Sequence, residues 1–179
     1  MKQLNTEKKI IGGITLATIM LLIGGVWFLN AQSSKEQVKL SKPLMGDEIP
    51  DQGRNHVPEG TQIQYSTNPP TSGSHYPNSQ PGGIYESQVP DGNLVHSMEH
   101  GAVILWYKSD IPATQSAQLK SIFSNISVGK KIMVPRDNLD VSVALTSWGR
   151  LLKLQSIDQN QIKSFMEKNE DRGPEKAPL

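Results

Sequence analysis

Residues 95–108 read V-H-S-M-E-H-G-A-V-I-L-W-Y-K. The second half, Ala102–Lys108, is a short apolar run rich in β-branched and aromatic residues. A run this short, following directly on a glycine, reads as a strand buried on both faces. The first half places His96 and His100 four residues apart, the spacing that puts two side chains on one side of a helix. Gly101 follows at once, and P-D-G-N at 90–93 reads as a turn, so at most two helical turns fit. The alternative reading puts both histidines at the start of the strand, facing the loops that carry His56 and His75.

Downstream the chain is regular. Thr114–Ser124 offers Ala117, Leu119, Ile122 and Phe123 as a helix face, with Pro112 near its start. Lys130–Val134, Val141–Ser147 and Leu151–Gln155 read as strands. Asp158 is placed to cap a helix running to about Glu170, with Ile162, Phe165 and Met166 on its apolar face, and Gly173-Pro174 stops it. Trp148 ends an apolar strand and reads as core. Gly149 allows a sharp bend there, and Arg150 reads as a surface or pairing residue. Upstream, residues 43–92 hold eight of the twelve prolines and seven of the fifteen glycines, so long helices are excluded. Only T-Q-I-Q-Y-S at 61–66 alternates like a strand. Mixed strands with two helices and a long Pro/Gly-rich loop region predict an α+β domain over residues 45–176, with 177–179 as a tail.

Residues 10–29 contain no charge over twenty positions, about 30 Å as a helix and enough to cross a bilayer. Lys8 and Lys9 precede this run, and Trp27 and Phe28 close it as an interfacial belt would. A cleaved signal peptide would have a shorter apolar segment and a better small-residue cleavage site than Ala31 provides. The reading is a transmembrane signal anchor, with residues 1–9 cytoplasmic, 30–44 a polar linker and the remainder extracytoplasmic at the cell membrane. The 179-residue chain has no cysteine, which excludes disulfides and thiolate metal sites. Its net charge of +1 gives no case for a nucleic-acid partner.

All four histidines, His56, His75, His96 and His100, fall within the first hundred residues and none in the last 79. Neutral imidazole is a ligand for zinc and copper, and an ion would tie the loops together against the entropy of closing them. The site predicted here takes His75, His96, His100 and His56 as ligands, with Glu99 as a hydrogen-bonding partner behind them, although a ligand's or a base's role is also open to it. At least two ring nitrogens should then lie within about 5 Å of each other. The ion would be copper or zinc, and a metal donor or acceptor protein would be a natural partner. Two other classes remain open: a metal-dependent hydrolase or oxidoreductase with Glu99 as base, and a non-catalytic interaction module whose histidines brace the loops. H-S-M-E-H also fits the inverted zinc-peptidase pattern H-x-x-E-H, which requires a sustained helix. Thr71, Ser72 and Ser74 near His75 lack the sharp G-x-S-x-G turn of a serine nucleophile. Met98 reads as core rather than as a soft ligand.

Four strings carry a resemblance: P-P-T-S-G-S-H-Y, V-H-S-M-E-H-G-A-V-I-L-W-Y, A-L-T-S-W-G-R and a terminal R-G-P-E. Together, over roughly residues 45–176, the chain resembles an uncharacterised bacterial family catalogued as domain of unknown function 3105. The resemblance implies a single N-terminal membrane span before the domain. It places the family's recurring histidines on His56, His75, His96 and His100 and its acidic residue on Glu99. Met98 stands where leucine is the more familiar residue, in keeping with a core position. The family supplies no assigned reaction.

Overall fold

A computed structural model describes residues 2–179, with the side chains of residues 2–10, Lys35 and Lys39 outside that description. The assignment of residues 1–9 as cytoplasmic therefore falls on side chains outside the described residues. The chain divides into two units, residues 1–42 and 43–179.

The first unit is one helix, α1 (Lys2–Ser41). Its apolar side chains are exposed all round, Leu21 to 78% and Trp27 to 74%. A helix that is apolar on every face has no single side to lay against a core. The segment Ile11–Val38 is long and apolar enough to cross a membrane. The helix continues well past residue 29, so the polar stretch read as a linker is helical to Ser41.

The second unit is the predicted α+β domain, built on a six-stranded mixed sheet. Its elements are β1 (Asp47–Glu48), β2 (Gly83–Ile84), α2 (Asp91–Glu99), β3 (Val103–Lys108), α3 (Ala113–Ser124), β4 (Lys131–Arg136), β5 (Val143–Ser147), β6 (Arg150–Leu154) and α4 (Gln159–Asn169). The strand order is β1-β6-β5-β3-β4-β2. β3 lies inside the sheet, parallel to β4 through the α3 crossover and antiparallel to β5, which turns through Trp148-Gly149 into β6. This central position explains its unbroken apolar sequence, because alternate residues enter cores on opposite faces. Val103, Leu105 and Tyr107 pack with Leu119, Ile122 and Phe123 of α3 and with Ile162, Phe165 and Met166 of α4. Ile104 and Trp106 pack on the other face with Leu94, Val95 and Met98 of α2. Trp106 is tolerated there because its indole N–H donates to Thr146 Oγ1 at 2.8 Å. Asp158 caps α4, its Oδ1 accepting from the backbone N–H of Asn160 and of Gln161 at 3.0 Å.

Three sequence expectations are corrected. The domain has three helices, not two: P-D-G-N at 90–93 opens α2 rather than forming a free turn, since Pro90 supplies the fixed φ that suits a helix start. Residues 61–66 form no strand. Their alternation has no neighbouring strand to pair with, and pairing rather than pattern makes a ladder. Trp148 is partly buried at the flank of the α2-side core, with its indole Nε1 donating to Asp51 Oδ2 at 3.1 Å, because it sits in the β5–β6 turn.

Candidate metal centre

α2 carries Leu94, Val95 and Met98 into the core, and this orientation fixes where its polar residues go. His96 and Glu99 lie one turn apart, and His100 follows as the residue that ends the helix. Gly101 then takes a φ of +91°. A Cβ there would meet Asp171 Cα at 2.8 Å, and one at Gly173 would meet Glu99 O at 2.2 Å. Only glycines let the C-terminal segment pass this close to the end of α2.

The loops bring in the other two histidines. His75 N donates to Asn55 O at 3.0 Å and Val57 N donates to His75 O at 2.8 Å. This single parallel bridge sets His56 beside His75, their ring centroids 4.6 Å apart. His96 lies 4.9 Å from His75 and 5.0 Å from His56 by the same measure. His100 stands 4.5 Å from His96.

Three of the rings are held in one tautomer. Nδ1 of His75 lies 2.9 Å from Gly73 O, Nδ1 of His96 lies 2.8 Å from Tyr76 O, and Nδ1 of His100 lies 3.0 Å from Pro178 O. A carbonyl only accepts, so each Nδ1 must carry the proton and donate it. In the neutral ring Nε2 is then a lone pair, the arrangement that metal-ligating histidines favour. These lone pairs meet one another and a carboxylate. His75 Nε2 lies 3.0 Å from Glu99 Oε2, and His96 Nε2 lies 3.1 Å from His100 Nε2.

The His75–Glu99 contact is the more informative. The two atoms are close enough for an ion pair, yet neither has a hydrogen-bond partner among the described residues. His75 is fully buried and Glu99 is 4% exposed. A buried carboxylate oxygen and a buried imidazole lone pair without hydrogen bonds are costly unless a third, positive group faces both. The charge of the group matches this. Burial pushes the His96 pKa below the ordinary imidazole range, and His75, His100 and His56 push it the same way, against the raising effect of its bond to Tyr76 O. His96 therefore favours the neutral form that ligates.

Taken as potential ligands, one atom each from His56, His75, His96 and Glu99 lie within 4.8 Å of one another. This largely buried group can hold a metal ion. Two nitrogens bound to one zinc at about 2.0–2.1 Å in tetrahedral geometry are separated by roughly 3.4 Å, so modest movement would bring the group to bonding distance. The expected approach of two ring nitrogens within about 5 Å is met by His96 and His100. Of the roles open to Glu99, the structure brings it directly against His75, within the group that could hold an ion. His100 groups with Glu99 and Glu175 rather than with His56 and His75. Glu175 was missed by sequence reasoning, because only the fold returns the tail to α2. Met98 is fully buried in the core and is not a ligand candidate. Trp148 stands edge-on to His75, ring centroids 6.4 Å apart, as a wall of the site. Thr71 Oγ1 is a further buried atom without a hydrogen-bond partner among the described residues.

A small mixed α+β domain with an imidazole–carboxylate cluster, preceded by one long apolar helix, is the class of protein these observations define. The family described as protein of unknown function (DUF3105) matches residues 56–178, and the chain belongs to it. No curated protein and no solved structure matches the chain.

Proposed function

We propose that the protein is a membrane-tethered, extracytoplasmic metal-binding module that holds one transition-metal ion through His56, His75, His96 and Glu99. The observation that carries the reading is the buried His75 Nε2 and Glu99 Oε2, 3.0 Å apart and without a hydrogen bond among the described residues, within reach of His96 and His56. Imidazole with carboxylate and no thiolate suits zinc or copper(II), and disfavours copper(I), which prefers sulfur. The segment Ile11–Val38, long and apolar enough to cross a membrane, supplies the tether, and in this reading the N-terminus lies inside. Binding, buffering or delivering the ion to a partner protein is the activity of such a module.

Catalysis is the weaker reading. Open clefts on the domain are lined by Glu86, Tyr107 and Asp137 and by Gln88, Arg136 and Asp137, and neither includes a site histidine. An enzyme with Glu99 as base would need a substrate-sized cleft beside the ion.

The test uses the full chain in detergent micelles, purified without a histidine tag. Zinc and copper(II) are titrated calorimetrically after exhaustive dialysis, and metal content is measured after desalting. Tight binding of either ion, lost in His75→Ala and His96→Ala proteins that retain their circular dichroism, is the expected result. A folded protein that takes up neither ion at micromolar concentration overturns the reading in favour of an interaction module.

A further inference from the structure

We propose a second metal position, formed by Glu99, His100 and Glu175, that adjoins the first and shares Glu99 with it. The proposal rests on the metal reading of the first position. Ligand atoms of these three residues lie within 4.8 Å of one another.

His100 is the residue that the first position leaves over. Its Nδ1 is committed to Pro178 O, so its Nε2 offers a lone pair. That lone pair lies 3.1 Å from the Nε2 of His96, whose own Nδ1 is committed to Tyr76 O, and two lone pairs cannot satisfy each other. The Glu175 carboxylate stands 3.8 Å from the same Nε2 of His100. A cation between His100 and Glu175 would answer both, and Glu99 would complete the set. The buried Glu99 Oε2, which has no hydrogen-bond partner among the described residues, faces His75 in the first position, so one carboxylate would serve both ions.

The backbone holds Glu175 in place. Its N–H donates to Glu99 O at 3.0 Å, and Gly173 passes close against the same carbonyl. Neighbouring ammonium groups are directed elsewhere: Lys130 Nζ donates to His100 O, Asp171 Oδ1 and Ala177 O, and Lys176 Nζ to Asp171. A carboxylate shared between two ions about 3.5–4 Å apart is a common bridge in two-metal sites. Each position has an exposed member: His56 in the first, and Glu175, whose side chain is 53% exposed, in the second.

The test again uses the tag-free full chain in detergent micelles, with zinc as the probe. Calorimetric titration and zinc content after desalting should give two zinc ions per chain in the unaltered protein. Glu175→Gln should retain the tight first ion and lose the second or weaken it by at least about tenfold, because a charged oxygen ligand is gone. Glu175 is half exposed, so the metal-free melting temperature should be unchanged and serves as the folding control. His100→Ala should likewise keep one ion. An unaltered protein that binds a single zinc, or a Glu175→Gln protein that binds two as tightly as the unaltered one, overturns the second position and leaves the first standing. A chain that binds no zinc overturns both.

Discussion

Replacing Glu99 by glutamine should make the metal-free protein more stable while removing most of its affinity for zinc. Glu99 is 4% exposed, and its Oε2 has no hydrogen-bond partner among the described residues although His75 Nε2 is 3.0 Å away. Glutamine has the same shape but carries no charge, and its amide can donate to the His75 lone pair that Gly73 leaves facing it. Relief of an unsatisfied buried group is worth about 1–3 kcal/mol. For a domain of this size that corresponds to a rise in Tm of roughly 3–10 °C. The same change deletes an anionic ligand, so zinc affinity should fall at least as far as the roughly 10–100-fold seen when a residue behind the ligands is lost. Zinc saturating the unaltered protein at about a thousand times its Kd would add about 4 kcal/mol, and a loss of affinity of about 10–100-fold should cut this gain to about 1.4–2.7 kcal/mol in the variant. Differential scanning calorimetry with chelator and with zinc reads both effects. The alternative is a structural ion pair between protonated His75 and Glu99, and breaking a buried pair costs about 3–5 kcal/mol. A variant several degrees less stable than the parent in chelator would refute the metal reasoning at its root.

Other expectations concern pH, packing, loops and topology. Because burial and the neighbouring histidines lower the His96 pKa, its neutral form persists below about 6.5. The stability His96 contributes should be complete above about pH 6.5 and fall below it, because the unfolded chain takes up the proton first, while native His96 keeps its lone pair for zinc past that point; a calorimetric stability that falls between pH 8 and 7 would contradict this. Phe165→Ala, at a fully buried side chain on the sheet face away from α2, should cost about 3–5 kcal/mol by chemical denaturation; a loss under 1 kcal/mol would contradict the packing. Zinc should slow hydrogen exchange at the amides of Val57, Gly73 and His75, whose few bonds hold the loops, and leave β3 unchanged; equal slowing throughout would argue against a local clip. Protease added to wall-stripped cells should digest the domain, and full protection of a domain known to be cleavable would reverse the proposed orientation.

Much of the regular half was legible because its signals are local or nearly so. β3 reads as a buried strand since both its faces meet cores, and α4 reads from Asp158 and the spacing of Ile162, Phe165 and Met166. α2 was harder. Its opening P-D-G-N has turn chemistry, and its helicity depends on seating Leu94, Val95 and Met98 against a sheet that the sequence does not display. The two-residue strands β1 and β2 carry no periodicity at all; they exist because β6 and β4 offer them edges. Trp148 was misread for a related reason: an aromatic after an apolar strand reads as core, but the two-residue turn to β6 places it at the rim.

The candidate site divides the same way, and the division follows from how it is assembled. The i, i+3 and i, i+4 relations of His96, Glu99 and His100 are visible as spacing because α2 alone sets them. His56 and His75 meet through one backbone bridge between two irregular segments, and nothing in their sequence spacing specifies it. The tautomers depend on carbonyls that the loop carrying His75 and the tail supply: Gly73 O, close in sequence to His75, and the more distant Tyr76 O and Pro178 O. These carbonyls turn histidine content into directed lone pairs. The glycines complete the arrangement: Gly101 and Gly173 carry no chemistry of their own, yet a side chain at either would push the tail from the end of α2. Glu175 and the Pro178 carbonyl would then leave His100, whose Nδ1 proton would no longer be held. The tail is thus part of the ligand scaffold, and its bearing on the histidines emerges only after the sheet and α2 have set where it can lie.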